Sequence, residues 1–133
     1  MWTVKEAWKK NLDKAWLVGL VVIDEISKIL ARQSGNFVTN GGVGWGIGLG
    51  GMGLWLVLGV VVVGLIKFAD KWWEKLLLAG GIANLIDRLG NGAVTDFINL
   101  RGLWINLADI MISVAVVGAI ISYINENKNS LRK

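Results

Sequence analysis

Residues 104–123 read WINLADIMISVAVVGAIISY. From residue 110 onward the stretch is almost wholly apolar, and a helix of about 20 such residues crosses the hydrocarbon core of a bilayer. That reading decides the fold class: an all-α membrane protein. Yet the first turns of the stretch hold Asn106 and Asp109. An ionised group at membrane depth costs roughly a few kcal/mol unless it faces the interior of a helix bundle, so Asp109 needs a reason to be there.

Working outward, three more apolar runs cover residues 15–31, 46–68 and 72–89, the first and third short and interrupted by charges. Four spans fill most of the 133 residues. We therefore expect a single integral membrane domain over 1–133, built as a four-helix bundle with a small irregular or β-containing outer segment between spans one and two. The opening, WTVKEAWKKNLDKAW, shows no cleavable signal pattern and reads as an amphipathic helix lying on the cytoplasmic surface and retained in the mature protein. The polar tail NENKNSLRK reads as frayed.

The composition agrees, with 54% hydrophobic residues and 18% charged, where ordinary globular domains carry about 25% charged residues. With no cysteine and no histidine, thiol nucleophiles, disulfides, zinc–cysteine sites and the usual general base are excluded by inventory. The net charge of +4 follows topology and does not suggest nucleic acid. Lys5, Lys9, Lys10 and Lys14 precede span one, Lys67, Lys71 and Lys75 flank the link between spans two and three, and Lys128, Arg132 and Lys133 follow span four. The positive-inside rule makes these regions cytoplasmic, with both termini inside.

In that orientation the late residues of spans one and three and the early residues of span four share one depth. Span one brings Asp24 and Lys28, four apart on one face; span three brings Asn84, Asp87 and Arg88; span four brings Asn106 and Asp109. Asp96 lies in the short connection before span four. Asp24 with Lys28, and Asp87 with Arg88, are equally readable as structural ion pairs. Asp96 and Asp109 have no such fixed partner in the sequence. Two carboxylates held close in a low dielectric share a proton, which is what an aspartic protease requires and which needs no metal and no cofactor. The same charges also suit a small transporter or proton relay, although the inner halves of spans two and four (LVLGVVVVGLI, ISVAVVGAII) hold few polar groups.

Four blocks in order resemble the lipoprotein signal peptidases (signal peptidase II), membrane aspartyl proteases of bacteria: DEISK with Asp24 and Lys28; NGGVGWG with Asn40, Gly42, Trp45 and Gly46; GGIANLIDRLGNGAVTDFINL with Asn84, Asp87, Arg88 and Asp96; and INLADI with Asn106, Ala108 and Asp109. The resemblance implies removal of signal peptides from prolipoproteins, by cleavage before a diacylglyceryl-cysteine, with Asp96 and Asp109 catalytic. Asn40, Asn84, Arg88 and Asn106 would then line the site, and Asp24 and Lys28 would support it. It further implies a monomer in the bacterial cytoplasmic membrane, surrounded by lipid, with its site toward the outer face and open to globomycin-type inhibitors. The stretch between DEISK and NGGVGWG is shorter than is usual in the family, which implies a reduced outer cradle. A non-catalytic homologue that binds lipoproteins would carry the same blocks.

Other signals read more plainly. The GxGxxG at Gly48, Gly50 and Gly53 lacks the strand that a dinucleotide site needs, and Gly42, Gly46 and Gly50, like Gly80 and Gly81, suit close helix packing in lipid. Trp2, Trp8, Trp16, Trp72, Trp73 and Trp104 fall near predicted interfaces as an aromatic belt. Ser27 and Lys28 are helix neighbours, which do not face each other as a Ser–Lys pair would.

Overall fold

The computed structural model describes residues 4–41, 59, 63 and 69–131, with side chains from residue 15 onward. These residues form helix α1 (Val4–Ser34), strand β1 (Val38–Asn40), helix α2 (Trp72–Asn91), strands β2 (Val94–Asp96), β3 (Ile98–Leu100) and β4 (Leu103–Ile105), and helix α3 (Leu107–Ser130). Almost all of the predicted span 46–68 lies outside the described residues, as do Gly42, Trp45 and Gly46. The chain is mostly helical with two small antiparallel sheets, β1–β2 and β3–β4.

Several boundaries differ from the sequence reading, each for a local reason. The opening amphipathic segment is not a separate element, because no glycine or proline interrupts residues 4–18 and the helix propagates from it directly into span one. Span four starts at Leu107 and not at 104, since Trp104 and Ile105 pair in β4 with Asn99 and Ile98. The tail remains helical to Ser130, and Glu126 within it accepts from Lys71 Nζ at 2.7 Å and from Ser122 Oγ at 3.3 Å. That ion pair joins the start of α2 to the late turns of α3, so the two helices lie antiparallel.

Helix α2 begins where the Glu74 carboxylate accepts from the backbone N–H groups of Asp70 and Lys71, and it ends on Gly92, whose φ of 74° is the left-handed conformation that glycine adopts without penalty. From there the chain enters β2, which pairs with β1 in the register Val38↔Asp96, Thr39↔Thr95 and Asn40↔Val94. A two-residue hairpin at Arg101 and Gly102, both at positive φ, links β3 to β4. The loop that separates Asp96 from Asp109 is therefore a short β-hairpin followed by a helix start.

Burial is inverted relative to a water-soluble domain. The largest fully buried side chains are Lys28, Asn106, Thr95, Asp24, Asp87 and Asp96, while Val114, Val116, Val117, Ile120 and Ile121 of α3 are exposed. Among the described residues α3 is the one helix long and apolar enough to cross a membrane by length and composition, and only 22% of its most apolar window is buried inside the protein. An apolar surface of that extent requires an apolar surrounding. The apolar core between the helices is built from small residues, Ala79, Ala83 and Ala108 with Met111, against which Leu17, Leu20, Val21 and Leu76 pack.

Close approach of α2 and α3 depends on Gly80, as its place in a small-residue face suggested. A Cβ there would lie 2.7 Å from the Ala108 carbonyl oxygen and 2.8 Å from Ile112 Cγ1. Backbone cannot yield as a side chain tip does. Gly80→Ala should therefore destabilise by about 1–3 kcal/mol, whereas Gly90→Ala, in the same helix with nothing within 4 Å of the added carbon, should gain about 0.5–1 kcal/mol. Thermal unfolding of both variants in detergent checks this contrast, and equal effects would refute the close-packing account.

Candidate functional site

The ends of α1 and α2, the strand β2 and the start of α3 converge on one polar cluster. Its centre is Lys28, which is wholly buried. Four residues earlier on the same helix face, Asp24 meets the ammonium at 2.6 Å. Lys28 also donates to Asn84 Oδ1 at 3.2 Å and to the Ala83 carbonyl at 3.5 Å, and it stands 3.8 Å from Asp87 Oδ2. The Asp24–Lys28 ion pair expected from spacing is thus formed within α1, and Lys28 ties it to α2.

Asp24 has a second task. Its Oδ1 accepts the backbone N–H of Ala108 at 2.9 Å. Ala108 lies in the first turn of α3, whose leading N–H groups have no partner within the helix, so a carboxylate from α1 satisfies one of them and also complements the positive end of the helix dipole. What Ala108 contributes is its amide, and its carbonyl oxygen is the atom that Gly80 approaches.

Asn106 is the N-cap of α3. Its Oδ1 accepts from Asp109 N at 2.9 Å, and its own N–H donates to Asp109 Oδ2 at 3.3 Å. With Oδ1 committed to the cap, its Nδ2 faces the other way and donates to Asp96 Oδ1 at 2.7 Å. One asparagine therefore touches both aspartates. Asp109 Oδ1 takes a further hydrogen bond from Asn84 Nδ2 at 3.1 Å, and Asp96 Oδ2 takes one from Asn40 Nδ2 at 3.3 Å. Asp96 is buried and Asp109 half-buried.

Arg88 donates to the Asn84 carbonyl oxygen at 3.4 Å, and the carboxylates in electrostatic reach of its buried guanidinium are those of Asp109, Asp96 and Asp87. The ion pairs of Asp87 run elsewhere than the sequence suggested: to Arg32 at 2.9 Å and Lys28 at 3.8 Å. Neighbours on a helix diverge by about 100°, which points Arg88 toward the aspartates and Asp87 toward α1. Asp87 also accepts from Asn91 Nδ2, the Thr95 backbone N–H and, at 3.4 Å, the Thr95 hydroxyl. Sequence reasoning missed Arg32, Asn91 and Thr95. For Arg32 a signal existed, since it follows Asp24 and Lys28 at the same spacing of four. Ser27 instead turns its hydroxyl to the Ile23 carbonyl.

Burial pushes the Asp96 carboxyl above the usual carboxylate range, opposed by the amide hydrogen bonds of Asn106 and Asn40 and reinforced by the charge of Asp109. Among the described residues no group of three acidic ligands suits a metal ion. The arrangement is two carboxyl groups, linked through the side-chain and backbone N–H groups of Asn106, in a largely buried polar cluster that includes the Arg88 guanidinium. Such a pair can hold one proton between them and exchange it with a bound molecule.

Residues 16–125 match the family model described as signal peptidase (SPase) II. The lipoprotein signal peptidase of Fusobacterium nucleatum is 31% identical over 138 residues, covering 82% of this chain and 84% of that protein. That of Staphylococcus haemolyticus is 30% identical over 139 residues, covering 82% and 88%. A solved structure described as "Bacterial membrane enzyme structure by the in meso method at 2.3 A resolution" superposes with a TM-score of 0.78 at 23% identity, covering 90% of this chain and 91% of that one. A second, at 1.9 Å, gives 0.71 at 24%. These structures share the fold.

Two stability predictions follow from the cluster. Lys28→Met leaves the buried Asp24 charge uncompensated and should cost about 3–5 kcal/mol, most of it recovered when Asp24→Asn is added, which removes the charge and keeps an oxygen for the Ala108 N–H; thermal melts of the single and double variants decide. A carboxyl whose folded pKa is raised favours folding below its unfolded value, 3.8 for aspartate, and that contribution is lost as pH rises through the folded value. Asp96→Asn should accordingly melt higher than the parent at neutral pH, with the gap closing as pH falls toward 4; a gap independent of pH would contradict the burial argument.

Proposed function

Because the chain belongs to the signal peptidase II family, we propose that it is an aspartic endopeptidase that removes signal peptides from diacylglyceryl-modified prolipoproteins, cutting before the lipidated cysteine, with Asp96 and Asp109 as its catalytic dyad. The observation that carries this reading is the Asn106 bridge, which holds the two carboxyl groups in one hydrogen-bonded unit. One member of the dyad, ionised, takes a proton from water as the water oxygen bonds to the scissile carbonyl carbon. The other, protonated, gives its proton to the carbonyl oxygen. On collapse of the tetrahedral diol the carboxyl that took the water's proton gives it to the departing nitrogen, the C–N bond breaks, and the other carboxylate takes one hydroxyl proton, which restores the starting state.

The remaining residues have supporting tasks in this scheme. Asn84 and Asn40 each donate to one aspartate and fix its rotamer, Arg88 supplies positive charge beside the developing oxyanion, and Asp24, Lys28 and Ala108 hold the helix start that carries Asp109. We place this single domain in the bacterial cytoplasmic membrane as a four-span monomer with both termini cytoplasmic, its dyad toward the outer face, within reach of the substrate's signal helix and of globomycin-type inhibitors. A proton relay would need polar groups along the whole helix length. Among the described residues the buried polar ones, from Asp24 to Asn106, gather at one end of the helices.

The test is cleavage of a diacylglyceryl-modified prolipoprotein by the detergent-purified protein, read as a gel shift. Asp96→Asn and Asp109→Asn should each lower the rate by about 10²–10⁴-fold while melting as folded proteins. Undiminished cleavage by either variant would remove that carboxylate from the mechanism.

A further inference from the structure

Strand β2 carries Asp96 on little local support. It has three residues and pairs with β1, whose Val38 and Thr39 are exposed; a two-stranded ribbon is at best marginally stable by itself. Something else must set the position of this strand.

Successive side chains leave a strand on opposite faces, so Thr95 and Asp96 point apart. On the Asp96 face, Asn40 and Asn106 hold the carboxylate. On the Thr95 face, Arg32 Nη1 donates to Thr95 Oγ1 at 2.6 Å and to Asp87 Oδ1 at 2.9 Å, while Asp87 Oδ2 accepts the Thr95 backbone N–H. Helices α1 and α2 thereby grip the strand one residue before Asp96. Thr95 is 1% exposed and Asp87 likewise, while Arg32 is 28% exposed, so the grip is shielded on the strand side and open to solvent at the guanidinium.

We propose that Arg32 is a positioning residue for the hydrolytic reaction: docked on Thr95 and Asp87, its guanidinium sets the place of β2 and through it the place of the Asp96 carboxylate. The inference rests on reading Asp96 and Asp109 as the dyad. Arg32 acts through the Thr95 side chain and the strand backbone, and the grip adds no charge to the aspartates' own hydrogen bonds. Both of its bonds leave the same nitrogen, so a cationic donor at that point is what matters, and a lysine ammonium with three donors supplies one. A misplacement of about 1 Å at a reacting group costs on the order of 10²-fold in rate.

Steady-state kinetics on a diacylglyceryl-modified prolipoprotein, with the parent, Asp96→Asn, Arg32→Met, Arg32→Lys, Thr95→Val and Thr95→Ser proteins in the same detergent, test this. Arg32→Met and Thr95→Val should each lower kcat by about 10- to 100-fold with KM within about twofold of the parent. Arg32→Lys and Thr95→Ser should recover most of the loss. Thr95→Val retains the Arg32–Asp87 pair and the backbone bond to Asp87, so it reports on the clamp even where Arg32→Met does not fold. An unchanged kcat in Thr95→Val, a loss expressed in KM, or a loss that Thr95→Ser does not restore overturns the proposal and leaves the dyad reading intact. Full activity in Asp96→Asn overturns both.

Discussion

A lysine ammonium removed from water must be surrounded by acceptors, since an unpaired buried charge costs several kcal/mol. Lys28, with none of its surface exposed, imposes that requirement on three helices at once. It occupies Asn84 Oδ1, and because an amide offers its oxygen and its nitrogen on opposite sides, Asn84 Nδ2 is turned onto Asp109. It occupies one oxygen of Asp24 and leaves the other to cap α3 at Ala108. The orientation of an amide and the anchoring of a helix start therefore both derive from one charge. Asp109, in the first turn of that helix, inherits its position from them.

The same cluster is close to electroneutral. Asp24, Asp87, Asp96 and Asp109 face Lys28, Arg32 and Arg88, so one proton held between Asp96 and Asp109 would leave a single excess negative charge, that of Glu25 on the partly exposed rim 3.9 Å from Lys28. The polar interior and the apolar exterior are two sides of this arrangement. Small residues at Gly80, Ala83 and Ala108 let the helices close around the charges, while the large aliphatic side chains are turned outward.

Much of the site was legible because helical spacing is a reliable geometric rule. Asp24 with Lys28, Asn84 with Arg88 and Asn106 with Asp109 each lie on one helix face, and each pair falls within the cluster. Of the strands, only β1 falls in the outer segment expected between spans one and two; β2, β3 and β4 lie between α2 and α3, where no strand was expected. Three residues are too few to display alternation, and the partner of β1 lies more than fifty residues away in β2, so no local pattern announces the pairing. The helix start at Leu107 was misplaced because Trp104 and Ile105 are as apolar as the span that follows. Arg32 went unnoticed for a different reason: charged residues in a last helical turn are common, and its partners Asp87 and Thr95 come from elements whose contact with α1 depends on tertiary structure.

The two aspartates stand on unlike supports, and that difference has consequences for how the site tolerates change. Asp109 belongs to a helix N-terminus, where the hydrogen bonds that position its carboxylate are the capping bonds that end the helix. At that place positioning and folding are one interaction, since removing the Asn106 side chain would free an orphan backbone donor as well as release Asp96. Asp96 belongs to a strand held from behind by Thr95 and Asp87, groups that take no part in the hydrogen bonds to its own carboxylate. Under the positioning role proposed for Arg32, that support extends to the end of α1, where the Arg32 side chain is 28% exposed.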